Sequence, residues 1–100
     1  MVSVETVAAL LRAICKKEWI LEVWIFGSFV RNVSAPSDID VFIKYQEGHA
    51  DDGSRFRRDL EQRFIQEIDI PLHLLMLTEG ECSEHAAFLN RALRAGIRVK

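Results

Sequence analysis

The sequence predicts an α/β domain, a small mixed sheet flanked by helices, in the order αβ(α)βαβαβ. Three observations predict it. Short runs rich in β-branched and aromatic residues end at turn residues, stretches of helical period alternate with them, and a helix-length segment separates the second strand from the third. A helix in that place is the usual crossover of a parallel pair, so the second and third strands should be neighbours. One hundred residues, 49% of them apolar, supply one compact core, and a single domain is expected over 1–100.

From Ser3 onward, Val4, Val7, Ala8, Leu10, Leu11 and Ile14 recur at helical spacing, with Arg12, Lys16 and Lys17 near the end where cations suit the dipole. Ile20 to Phe26 reads as a buried strand that runs into a tight turn at Gly27 and Ser28. Phe29 to Val33 is expected to form one helical turn, and Asn32 to Ser37, rich in Asn, Ser and Pro, a loop. Asp38 to Tyr45 then alternates. Ile39, Val41 and Ile43 fall on one face, with Asp38, Asp40, Phe42 and Lys44 on the other.

Gln46 to Gly53 reads as a linker loop, with Ser54 as N-cap of a helix that places Phe56, Leu60, Phe64 and Ile65 on one face and ends near Glu67. Ile70 to Leu77 is the third strand, with Pro71 near its entry where a missing donor costs least. A last helix is expected from Ser83 to Ala95, capped by a left-handed Gly96, and Ile97 to Val99 adds an edge strand.

The formal net charge is −2, with both signs mixed along the chain, so no single-sign field is available to hold a polyanion and nucleic acid is not expected as the main partner. Cys15 and Cys82 have no metal-ligand spacing and do not make a disulfide framework. With no membrane-length apolar run and no signal-peptide pattern, a reducing cytoplasm is the expected location. Trp19, Trp24 and Cys15 are read as packing residues, and His49 and His85 as solvent-exposed.

The chemistry lies in Phe26-Gly27-Ser28-Phe29-Val30-Arg31, followed after a loop by Ser37-Asp38-Ile39-Asp40-Val41. A Gly-Ser turn at a strand end lets backbone amides and a hydroxyl approach a phosphate without a side chain intervening. Two carboxylates two residues apart on a strand share a face at roughly 6.5 Å and can hold hard cations, magnesium or manganese, together with nucleotide phosphates. Arg31, one turn beyond Ser28, is placed to neutralise a triphosphate. An anion-binding turn followed by a cation-binding strand is what phosphoryl transfer requires, because there the protein positions groups and neutralises charge.

These two motifs, in this order, resemble the nucleotidyltransferase superfamily related to DNA polymerase beta, in particular its minimal members. The resemblance is close over Ile25 to Ile43 and implies a polymerase beta palm-like fold. It implies that Gly27 and Ser28 contact nucleotide phosphates and that Asp38 and Asp40 hold the metals. The nine residues between Ser28 and Asp38 are one fewer than is common in that group. The family's third carboxylate, at the next strand, has two candidates. Asp69 precedes that strand, His73 lies within its apolar run, and both have the same strand parity. Asp69 is the preferred third catalytic and metal-binding residue because magnesium prefers oxygen ligands.

The resemblance further implies transfer of a nucleoside monophosphate, AMP from ATP, to a hydroxyl. Minimal members resemble antitoxins encoded beside HEPN-type ribonuclease toxins, which they adenylylate. The recognised core takes up nearly all of the chain, so the acceptor is expected on a partner protein such as a toxin, or through self-association. The alternative is an inactive module of the same fold that binds ATP or occludes a partner.

Overall fold

A computed structural model describes residues 2–31 and 38–100. The expected loop Asn32 to Ser37, and Val33 at the end of the expected helical turn, lie outside these residues.

Helix α1, Val4–Ile14, is capped by Ser3, whose side chain accepts from the Thr6 amide, and it buries Val7, Ala8 and Leu11. Lys100 Nζ donates to the carbonyls of Cys15 and Lys17, each at 2.9 Å, and so serves the acceptors left open beyond the helix end. Strands β1, Ile20–Phe26, and β2, Ile39–Tyr45, pair antiparallel, with Phe26 opposite Asp40. Helix α2, Ala50–Glu67, crosses over to β3, Leu72–Thr78, which lies parallel to β2. Helices α3, Glu79–Glu84, and α4, Ala86–Ala92, lead to β4, Ile97–Arg98, which pairs with β1. The sheet order is β3-β2-β1-β4.

Alternation along the strands separates two apolar layers. Val23, Ile25, Val41, Ile43 and Leu74 pack with α1 and with Phe56, Leu60 and Phe64 of α2. On the opposite face Phe42 packs with Cys82 of α3 and Leu89 of α4, with Trp24, Phe26 and Leu75 beside them. Asp40 and His73 have the parity of Phe42 and Leu75, so they belong to this second face.

Some details differ from the sequence expectation, each for a local reason. Helix α2 begins at Ala50, not Ser54. Asp51 and Asp52 suit its first turn, and Ser54 Oγ bonds back to the Ala50 carbonyl at 3.1 Å inside the helix. Strand β3 begins at Leu72, because Asp69 takes a left-handed φ of 59° and Pro71 follows. The single helix expected over Ser83 to Ala95 is two short ones. A Thr78-Glu81 capping box starts the first, and His85, at φ −114°, ψ 26°, separates them. Gly96 is not left-handed. A Cβ there would stand 3.0 Å from the Ile25 carbonyl oxygen, so close approach to β1 explains the glycine.

Candidate functional site

The site grows from the end of β1. Phe29 is buried in the core and ties down the segment after the strand, while the Arg31 amide donates to the Ser28 carbonyl at 3.1 Å and closes a turn. Gly27 has φ +77°, and a Cβ on it would overlap the Asp40 carboxylate. Glycine is required there twice over, for its backbone conformation and for its approach to Asp40. The Gly-Ser turn and the second aspartate, separate in sequence, are thereby in contact.

On the second face Asp40 sits between Phe26 on β1 and His73 on β3, with its side chain 18% exposed. Asp38 immediately precedes β2 and keeps step with Asp40 by the two-residue alternation. The Ile39 amide between them donates to the Pro71 carbonyl at 2.9 Å, which anchors the start of the strand.

Across the sheet from Asp40 stands His73. It is the register partner of Asp40, and its Nδ1 lies 3.0 Å from Asp40 Oδ1. Asp69, the preferred candidate from sequence, is three residues ahead of β3, exposed and left-handed, and its amide bonds to the Phe64 carbonyl at 3.0 Å. It ends α2 rather than joining the pair in the sheet. The strand register that would have brought it to Asp40 is not the one formed.

The donor set can be compared with a metal's needs. Asp38 and Asp40 present only oxygen, which suits magnesium, whereas His73 presents nitrogen and is already bonded to Asp40. Among the described residues no group of three or more His, Cys, Asp or Glu is arranged to hold a metal. The two carboxylates therefore fit a hard cation that brings further oxygen ligands with it, as a nucleotide-bound magnesium does.

Beside Gly27 a cleft of about 430 Å³ opens between the turn and α4. Arg31 lines it, and so do Arg91 and Arg94, which sequence reading left unassigned. Nothing local in the sequence ties the last helix to the Gly-Ser turn. A second cleft, of about 330 Å³, runs under α3 and α4 and includes neither aspartate. Its Glu22 accepts from Trp24 Nε1 at 3.0 Å and pairs with Lys44 at 3.4 Å, so its main charges satisfy each other. The Trp24 bond and the neighbouring cations hold Glu22 below the usual carboxylate range.

Two residues read as unremarkable have definite places. His49 is not free in solvent: its ring stacks on Trp19 at 5.3 Å between centroids, and its Nδ1 lies 2.8 Å from Asp52 Oδ2. Cys15 is buried as expected, and burial pushes its thiol up to about 12.

The fold has counterparts among solved structures. A chain of the toxin–antitoxin complex MntA–HpeT aligns with a TM-score of 0.62 and 15% identity, over 96% of this chain and 70% of that one. That crystal structure is of a mutant in which two aspartates two positions apart are replaced by glutamate. A chain of the complex between the tri-AMPylated HEPN toxin of Shewanella oneidensis and its MNT antitoxin aligns with a TM-score of 0.58 and 19% identity, over 96% and 67% of the two chains. These neighbours have the nucleotidyltransferase fold, and so does this chain. By sequence, the model of the DUF6932 family, described as a family of unknown function, matches residues 2–92. No curated protein matches.

Proposed function

We propose that this chain, which belongs to the DUF6932 family of unknown function, is a nucleotidyltransferase that moves AMP from ATP to a hydroxyl on a partner protein, as the antitoxin member of a toxin–antitoxin pair. The observation that carries this reading is the contact between Gly27 and Asp40. An anion-binding turn and a cation-binding carboxylate meet at one point of the sheet, which is the arrangement a metal-bound nucleotide needs.

In this reading Asp38 and Asp40 hold magnesium, which when bound neutralises charge on the phosphates. The Gly27 and Ser28 amides and the Ser28 hydroxyl orient the phosphate chain. The acceptor oxygen forms its bond to the α-phosphorus, the bond from that phosphorus to the bridging oxygen breaks, and pyrophosphate leaves with the electron pair. With Nδ1 bonded to Asp40, His73 has Nε2 left to take the hydroxyl proton. Both structural neighbours come from toxin–antitoxin complexes, and the HEPN toxin in one of them supports a HEPN-type protein as the partner; the paired aspartate substitutions in the other have the spacing of Asp38 and Asp40.

One observation favours a second reading. A histidine bonded to Asp40 stands where the superfamily carries an acid, which suits a module that binds ATP and covers a partner without transferring AMP. Incubation with α-labelled ATP, magnesium and a co-expressed neighbouring-gene product separates the two. A labelled partner that disappears in Asp38→Asn/Asp40→Asn establishes transfer. Magnesium-dependent stabilisation by ATP without label establishes the binding module, and the absence of both removes the nucleotide reading.

A further inference from the structure

We infer that the cleft lined by Arg31, Arg91 and Arg94 is a polyphosphate site, built to hold the departing end of a nucleoside triphosphate. The inference rests on the nucleotide reading of the turn and the aspartate pair, and it assigns a role to Arg91 of α4 and to Arg94 just beyond its end, both outside the two motifs.

Three features carry it. First, the cleft collects three guanidinium groups, and no carboxylate lines it among the described residues. In a chain of net charge −2 this runs against the overall balance, so it marks a local preference for anions. Second, the side chains of Arg31, Arg91 and Arg94 form no ion pair with a described carboxylate, although five other cationic side chains, Lys44, His49, Arg55, Arg63 and His73, pair within 3.5 Å. Arg91 and Arg94 are exposed and carry no apolar layer of their own.

Third, the order across the sheet fits an in-line displacement. His73 on β3, Asp40 on β2 and Gly27 at the end of β1 follow in sequence across neighbouring strands, and the arginine cleft lies beside Gly27. In-line transfer needs the attacking oxygen and the leaving group on opposite sides of the phosphorus. An acceptor on the His73 side therefore sends pyrophosphate toward the arginines. Guanidinium groups bind phosphate oxygens in pairs, so three of them match a chain of phosphates better than a single one.

The test uses inorganic tripolyphosphate and inorganic phosphate as probes, titrated calorimetrically in EDTA so that no metal contributes. Wild type should bind tripolyphosphate more tightly than phosphate. Arg91→Gln/Arg94→Gln should weaken tripolyphosphate by about tenfold or more, and Arg91→Lys/Arg94→Lys should keep part of the affinity. Asp38→Asn/Asp40→Asn should retain metal-free binding or tighten it, because it removes repulsion without touching the cleft. Equal binding by wild type and the Gln variant, or no binding by wild type, overturns the inference. Failure of magnesium to improve ATP binding would instead strike the aspartate reading and leave the arginine comparison standing, so the two can fail separately. Since both arginines are exposed, melting curves of the Gln and Lys variants should match wild type.

Discussion

His73 lies directly across the parallel β2 and β3 register from Asp40, with 3.0 Å between His73 Nδ1 and Asp40 Oδ1. A carboxylate at position 73 would stand beside the aspartate pair. The imidazole there instead ties up one oxygen of the residue best placed to meet a cation. His73→Asp should release that oxygen and add two more, lowering the magnesium needed for half-maximal stabilisation by ATP by on the order of tenfold. Thermal shift over a magnesium series measures it. An unchanged requirement would show that position 73 is not part of the cation site.

Asp69 should behave as a turn residue. Asp69→Asn keeps a side chain that tolerates the left-handed region and should leave stability within about 0.5 kcal/mol and magnesium-ATP binding unchanged. Asp69→Val places a β-branched residue at φ 59° and should cost about 1–2 kcal/mol. Denaturant melts of both variants check the pair, and loss of nucleotide binding in Asp69→Asn would return this residue to the site.

Gly27→Ala combines a left-handed alanine with overlap of the Asp40 carboxylate. The expected cost is about 2–4 kcal/mol. Part of it comes from Asp40 itself, so the cost should be smaller in an Asp40→Ala background, with a coupling of about 1 kcal/mol in the double-mutant cycle. Additive effects would mean that the turn does not approach Asp40 in solution.

Glu22 gives a pH signature. Its carboxyl is held low, first by the Trp24 indole N–H and then by the cations Arg98 and Lys44. A depressed value means that its contribution is present above the ordinary carboxylate range and is lost as pH falls through the folded value. The pair is partly exposed, so Glu22→Gln should cost only about 0.5 kcal/mol at pH 7, and the gap to wild type should close in acid. A gap that persists at low pH would assign the effect to packing.

Cys15 should be inert in the folded protein. It is 2% exposed, with its thiol pushed up to about 12 by burial, so a thiol reagent at pH 8 should label it only after denaturation. Labelling under native conditions at the rate of a free cysteine would show that the end of α1 opens readily.

The sequence by itself determined what depends on short-range pattern. The period of Val4 to Ile14, the β-rich run Ile20 to Phe26 and the alternation of Ile39, Asp40 and Val41 identify three elements without reference to their partners. The Gly27-Ser28 and Asp38-x-Asp40 motifs are local for the same reason, since a turn and a strand face need only neighbouring residues. A long segment between β2 and β3 was enough to foresee their parallel pairing. Tertiary structure decided the rest. Residues 69 and 73 share a parity, so alternation could not choose between them. The choice followed from where the left-handed Asp69 and Pro71 let β3 begin against β2. Arg91 and Arg94 are about sixty residues from Gly27 along the chain, and only the packing of α4 against Phe42 and the second face brings them to the same cleft. Spacing along a chain specifies which side of an element a residue takes, whereas register and helix docking specify which residues it meets.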